Sequence, residues 1–386
     1  MSRGLADSFS LNDGASQVRG GEELDLDALA PYLRRHLPAA GLEVADDAEL
    51  TVEQFPSGWS NLTYLLRLGR HELVLRRPPF GNVVKSAHDM AREHRVLSAL
   101  APVWGPAPQP YLLCSDESVI GAEFYVMERV RGVILRRELP AGLELPPERA
   151  RGLSAALIDG MADLHGIDYA AAGLGDLGRP EGYARRQVEG WSKRYFRAKT
   201  DEHQELEAVA AWLAGNVPTE GSSGVGPALV HNDYKYDNVV WSPEALTGPR
   251  GDPGEAASSD ATQLRAVLDW EMATVGDPMM DLGTTLGYWV DPGDPAPMHL
   301  FAMGPTAVAG SLSRRELAAR YAEATGADLT HLPFYYGFGL FKIAVIIQQI
   351  YARYVAGKTQ DPRFAELDQA VGLFGKVAAG VLEGSC

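Results

Sequence analysis

The feature that most constrains this chain is a change of hydrophobic period along its length. ELTVEQF, LTYLLRL and HELVLRR, between residues 49 and 77, are rich in β-branched and aromatic residues and separated by Gly-containing turns. Such runs read as consecutive antiparallel strands, and AEFYVMERV (122–130) reads as one more. From about residue 147 the period becomes helical, as in RARGLSAALIDGMADLHG and AELDQAVGLFGKVAAGVL, and no internal repeat is visible. The expected fold class is therefore α+β: a small antiparallel-sheet N-lobe followed by a larger, mainly helical C-lobe. The expected divisions are a disordered tail at 1–22, a first lobe at 23–130 and a second at 131–386. Clefts between two such lobes are where ligand sites usually lie. Helices are expected at LDLDALAPYLRRHL (24–37) and at SAHDMAREHRVLSAL with Ser86 as N-cap.

At 386 residues the chain fits one large or two moderate domains, and its 46% hydrophobic content can fill a sizeable core. A net charge of −16 and a pI near 5.0 argue against a nucleic-acid or anionic-membrane partner, which would want a basic face. Cys114 and Cys386 are the two cysteines, too few for a disulfide scaffold or a Cys-based zinc site. Together with an N-terminus lacking an apolar central run, they predict a reduced, cytoplasmic protein. The most apolar stretch, FYYGFGLFKIAVIIQQIYARYV (334–355), carries Lys342, Gln348, Gln349 and Arg353. It reads as a buried core helix, because a membrane span needs about 20 mostly apolar residues.

Two β-like runs interrupt the helical half: LVHNDYKYDNVVW (229–241) and LRAVLDWEM (264–272). Between them PEALTGPRGDPGEAASSDATQ, about 243–263, is dense in Gly, Pro, Ala and Ser and reads as a flexible insertion. If VVW (239–241) pairs antiparallel with AVL (266–268), Asn238 and Asp269 fall at the same hairpin end. An amide oxygen beside a carboxylate is hard-oxygen ligation suited to Mg²⁺, with phosphate and water completing the shell. Asp233, five residues before Asn238, is placed to orient a substrate hydroxyl and accept its proton. Lys235 has the reach to meet a transferred phosphoryl group, and together these residues form a phosphoryl-transfer set. A metal hydrolase built on His231, Asp233 and Asp269 is the weaker reading, for want of a second His at ligand spacing.

Met90, Glu93, Leu97 and Leu100 fall at three- and four-residue spacing, so Glu93 lies within an apolar stripe and needs a partner. Arg76, ending a strand just upstream, is the expected one, with Arg77 a close second. His231 is expected to brace its loop through backbone hydrogen bonds, Asp277 to cap a helix before Pro278, and Asp281 to tie that helix to the loop. Asp237 reads as solvent-facing or loop-bracing, His165 as a helix cap, and Trp241 and Trp270 as core. Arg185, Arg186, Lys193, Arg194 and Arg197 read as a solvated basic helix face.

HNDYKYDN follows the H-x-D-x-x-x-x-N catalytic loop of the protein-kinase-like fold. LDWEMATVGDPMMDLG resembles the metal-binding segment of the aminoglycoside phosphotransferase and choline-kinase-like family. FPSGWSNLTYLLRL resembles its phosphate-covering turn, LVLRRPP the strand that normally holds the ATP lysine, and AREHRVLSAL the helix supplying that lysine's glutamate. The resemblance runs from about 50 to 290 and is nearest to the phosphotransferase domains related to acyl-CoA dehydrogenase fusions. It implies the two-lobe kinase fold, with ATP and Mg²⁺ as cofactors and a small-molecule hydroxyl as acceptor. It further implies that Arg76 holds the α/β-phosphates, that Ser57, Gly58, Ser60 and Asn61 cover the phosphates, and that main-chain groups of Glu128 and Val130 meet the adenine. The chain departs from the pattern in having Arg76 where kinases have Lys, and SGWSN in place of a three-glycine loop. Those departures are the whole support for an alternative, a kinase-shaped nucleotide-binding module without turnover. The absence of D-F-G and A-P-E disfavours a protein substrate, and the acceptor stands open between an aminoglycoside-like compound and a hydroxyacyl-CoA.

Overall fold

The expected strands between residues 50 and 77 form one antiparallel meander in a computed structural model that describes residues 14–56, 61–80, 89–140, 142–247, 264–359 and 361–384. Helix α1 (Leu26–His36) begins at Asp25, whose carboxylate accepts from the Ala28 N–H. Strands β1 (Leu50–Gln54), β2 (Leu62–Leu68) and β3 (His71–Arg77) pair in sequence order. Gly69, at φ 56°, supplies the left-handed turn that a two-residue hairpin needs. Helix α2 (Met90–Leu100) is capped by Asp89; Ser86, the cap expected from sequence, lies outside the described residues. Strand β4 (Pro110–Cys114), not anticipated, pairs with β5 (Phe124–Glu128) to give the order β1-β2-β3-β5-β4. The two-residue strand β6 (Val133–Ile134) follows.

Strand alternation sorts the side chains of β3. Leu73 and Leu75 join a cluster with Leu29 and Leu33 of α1 and Phe124 and Val126 of β5. Val74 and Arg76 fall on the other face, the one that receives Glu93 of α2. Arg77, back on the first face, is buried with its guanidinium on the carbonyls of Ile120 (2.9 Å) and Pro78 (3.0 Å) and over the Phe80 ring. The choice between the two arginines is thus made by the pleat.

A second unit opens with α3 (Pro147–His165), α4 (Tyr183–Ala198), α5 (Gln204–Gly215) and β7 (Ala228–Val230). The chain then supplies β8 (Val239–Trp241), the short helix α6 (Pro243–Thr247) and β9 (Leu264–Val267). Strand β10 (Thr274–Gly276) pairs with β7, and α7 (Pro278–Tyr288), α8 (Arg314–Thr325), α9 (Leu332–Val355) and α10 (Leu367–Leu382) complete the fold. All of α7 and most of the first half of α9 are buried, as expected of helices apolar on nearly every side. Among the described residues no helix is long and apolar enough to cross a membrane.

Four expectations need correction. Of the tail expected to be disordered at 1–22, the described residues from 14 on are tied to the sheet: Ser16 bridges to Gln54, and the Glu22 carbonyl accepts from the Tyr64 hydroxyl at 2.8 Å. The described residues of Asn238–Ala273 pack with the first unit, together with the described residues up to Ile134, because β8 pairs with β6 as well as with β9. The expected boundary at 130/131 made it part of the second lobe. The strand expected to run through Leu268 ends at Val267 as β9, and Asp269 turns left-handed at φ 67° before a short 3-10 turn. Of the insertion expected at 243–263, residues 243–247 are the helix α6, and the rest lies outside the described residues.

Candidate active site

In the first unit β8 and β9 pair as expected, Val239 opposite Val267 and Val240 opposite Ala266. One step beyond, the Leu268 N–H donates to the Asn238 carbonyl at 2.8 Å. Asn238 therefore lies opposite Leu268, and Asp269 follows at the same hairpin end. The left-handed backbone of Asp269 costs about 1 kcal/mol or more in a non-glycine residue, and three contacts hold it. Arg76 Nη2 donates to Asp269 Oδ1 at 2.9 Å. The next residue's N–H, on Trp270, donates to Glu93 Oε1 at 3.1 Å. The Trp270 indole, buried as expected, donates to the Val267 carbonyl and packs edge-on against Trp104.

Arg76 is 8% exposed and Glu93 1%, so each charge depends on the other. Their ion pair spans 3.4 Å between Nε and Oε2, and both of those atoms lack a hydrogen bond. Burial pushes the Glu93 carboxyl up despite the opposing pull of Arg76. The guanidinium thus joins a helix carboxylate to the hairpin carboxylate, and Asp269 as its second partner was not legible from spacing. Asn61 Nδ2 donates to Glu271 Oε2 at 3.0 Å; Glu271, two residues after Asp269, is a site neighbour that sequence reasoning passed over. Ser57, Gly58 and Ser60 lie outside the described residues. Glu128 closes β5 with its N–H on the Gln109 carbonyl at 2.8 Å, and Val130 lies in the link to β6.

In the second unit Asp233 and Lys235 form a bidentate pair, Nζ to the two carboxylate oxygens at 2.6 and 2.8 Å. Burial works against the charged Asp233, but Lys235, Lys342 and His231 outweigh it and hold its carboxyl below the usual range. Lys235 also lies 4.6 Å from the centre of the buried Tyr288 ring. Asp237 pairs with Arg136 at 3.0 Å, while burial raises its carboxyl; it is a loop brace.

The loop before Asp233 is anchored from α7. Asp281, fully buried, accepts from the backbone N–H of His231 (2.6 Å) and of Asn232 (2.8 Å). His165 faces the same carboxylate at 3.2 Å and the Tyr321 hydroxyl at 2.7 Å. His165 is thus a partner of Asp281, not a helix cap; the α3 cap is Gly166. Burial opposes the Asp281 charge, yet His165 and the His231 N–H hold its carboxyl low. His231 in turn accepts from the Asp233 N–H at 3.2 Å through Nδ1, and Asp277 caps α7 by accepting from the Met279 N–H.

Among the described residues no group of three or more His, Cys, Asp or Glu stands ready to hold a metal. Asn238 and Asp269 offer two hard oxygen ligands, a set that suits Mg²⁺ accompanied by phosphate and water. The buried Arg–Glu pair and hairpin of the first unit, and the paired aspartate loop of the second, are each features of a kinase-type phosphotransferase with a hydroxyl group as acceptor. The chain belongs to the phosphotransferase enzyme family, whose sequence profile matches residues 51–250 and 256–325. It is 35% identical over 360 residues to acyl-CoA dehydrogenase family member 11 of Gallus gallus, a match covering 90% of this chain and 42% of that protein. The chain therefore spans less than half the length of that relative. A solved structure from Ralstonia eutropha, provisionally named an aminoglycoside phosphotransferase, is 30% identical with a TM-score of 0.74, covering 94% of this chain and 99% of the other. The GDP and kanamycin complex of APH(2″)-IIia, 15% identical, shares the fold at a TM-score of 0.60 over 92% of this chain and 99% of that one.

Proposed function

We propose that the chain is an ATP- and Mg²⁺-dependent phosphotransferase that moves the γ-phosphoryl group of ATP to a hydroxyl of a small molecule. The observation that carries this reading is Asp233, a half-buried carboxylate kept charged by its lysine and held by a loop anchored to Asp281. A charged carboxylate of this kind orients an acceptor hydroxyl and takes its proton as the O–P bond forms. Lys235, paired to Asp233, meets the transferred phosphoryl group. Asn238 and Asp269 hold the metal, Arg76 contacts the nucleotide phosphates, and Glu93 keeps Arg76 in place. Mg²⁺, when bound with the nucleotide, supplies positive charge for the phosphate oxygens. Ser57, Gly58, Ser60 and Asn61 cover the phosphates, and Glu128 and Val130 meet the adenine through their main chains.

Two acceptor classes are supported. The Ralstonia eutropha structure favours an aminoglycoside-like compound, and the acyl-CoA dehydrogenase relatives favour a hydroxyacyl-CoA. The test is ADP release from Mg·ATP with each class, beside an Asp233→Ala control. The expected result is acceptor-dependent release that falls about 10²–10⁴-fold in the variant. The second reading, a binding module without turnover, draws on Arg76 being shared by two carboxylates. Measurable Mg·ATP binding, with ADP release equal in wild type and Asp233→Ala across both classes, would favour it.

A further inference from the structure

Asn232, the residue before Asp233, is held at every polar atom of its backbone and at its side-chain oxygen. It is one of two non-glycine residues with positive φ, at 66°, among those described. Its N–H goes to Asp281 on α7, and its side-chain oxygen accepts from the Tyr183 hydroxyl on α4 at 2.9 Å. Its carbonyl accepts from Lys342 Nζ, which reaches it from the middle of α9. Lys342 is 2% exposed in the mostly apolar helix α9. A lone ammonium there is costly to bury, and nothing in the packing of α9 requires one, since Leu340, Phe341, Ile343 and Ala344 around it are apolar.

We propose that Lys342 is a positioning residue for phosphoryl transfer: its ammonium clamps the Asn232 carbonyl in the left-handed turn and so aims Asp233. This inference rests on the reading of Asp233 as the acceptor-facing carboxylate. The charged groups acting on the ammonium are Asp233 and Lys235 of the loop, Asp281 of α7 and Arg194 of α4. Trp191 of α4 offers its ring to both Lys342, at 5.5 Å, and Arg194, at 4.6 Å. Burial, opposed by the two carboxylates, brings the Lys342 ammonium down to about 8. A charge-assisted hydrogen bond is roughly twice as strong as a neutral one, so losing this proton weakens the clamp and removes a positive charge from behind Asp233. Turnover should therefore fall on its alkaline side.

Stability should move the other way. The folded state releases the Lys342 proton near pH 8, while the unfolded chain keeps it to about 10.4. Between those values the unfolded state binds more protons, so stability rises with pH. A lysine buried without a role in the loop would give the same stability change but would leave turnover unlinked to this window.

The experiment compares full-length wild type with Lys342→Met, Lys342→Arg and Asp233→Ala. It measures Mg·ATP hydrolysis with water as acceptor, Mg·ATP affinity, and thermal unfolding from pH 7 to 10.5. Wild-type hydrolysis should fall about three- to tenfold between pH 7.5 and 9.5 as the clamp loses its charge. Lys342→Met should be slow throughout, by about tenfold or more, with Mg·ATP affinity within about twofold of wild type. Lys342→Arg should recover part of the rate and lose the alkaline fall, because a guanidinium stays charged. In unfolding, the alkaline gain should be absent from Lys342→Met, and in Asp233→Ala it should begin at lower pH. Hydrolysis by Lys342→Met equal to wild type while Asp233→Ala is slow overturns this inference alone. Equal hydrolysis by Asp233→Ala and wild type removes the parent reading. With no measurable hydrolysis, an alkaline gain that Asp233→Ala leaves unmoved overturns the inference without reference to turnover.

Discussion

Asp281 shows how much one carboxylate can organise. It takes two backbone N–H groups from the loop before Asp233 and faces His165 in a fully buried position. Replacing Asp281 with Asn leaves one N–H of the loop facing an amide NH₂, and should cost about 3 kcal/mol in urea unfolding. Its carboxyl is depressed, so its contribution is present above the unfolded carboxylate value and is lost only as pH falls below that range. Comparing acid unfolding of wild type and Asp281→Asn checks this: the two curves should converge at strongly acid pH. A constant gap down to the acid limit would mean the anchor is steric. The Asp281 tie was legible because G-D-P-x-x-D-L places it one helical turn from a cap, and Glu93 was legible from its apolar stripe. Lys342 was not. In sequence it only interrupted an apolar run, and a burial partner supplied by another segment has no local trace.

At the scale of elements, the crossing of α7 and α9 is the tightest feature on which the anchor depends. A Cβ at Gly283 would sit 2.2 Å from the Tyr335 carbonyl oxygen, and one at Gly339 would sit 2.1 Å from the Gly283 carbonyl oxygen. Both obstacles are backbone, so the helices themselves must separate. Gly283→Ala and Gly339→Ala should each destabilise by about 2–3 kcal/mol despite alanine's better helix propensity, read as a lower denaturation midpoint. As a contrast, Ser313→Ala removes a capping box on α8 and should cost only about 1 kcal/mol. If the glycine variants lose no more than the cap variant, the crossing has slack that the distances deny. The first three strands were readable from their β-branched and aromatic residues and their glycine turns. The left-handed backbone of Asp269 has no local sign in LRAVLDWEM; Arg76 and Glu93, distant in sequence, hold it there.

At the scale of the molecule, a net charge of −16 implies self-repulsion that salt screens within a Debye length of about 8 Å at physiological ionic strength. Raising NaCl from low to physiological concentration should therefore raise Tm by a few degrees, measured by calorimetry. A fall would show that paired surface charges outweigh the net repulsion. The sequence by itself determined the order of β-rich and helical segments, the hairpin that brings Asn238 to Asp269, and the need of Glu93 for a cation. Those follow from periodicity, turn chemistry and desolvation, which act over a few residues. Only the tertiary structure decided that Arg76 also reaches Asp269, that β8 and β9 pack with the first unit, and that Lys342 stands behind the loop of Asp233. Each of these depends on which distant segment reaches a buried charge or an open strand edge first, and that is fixed by packing.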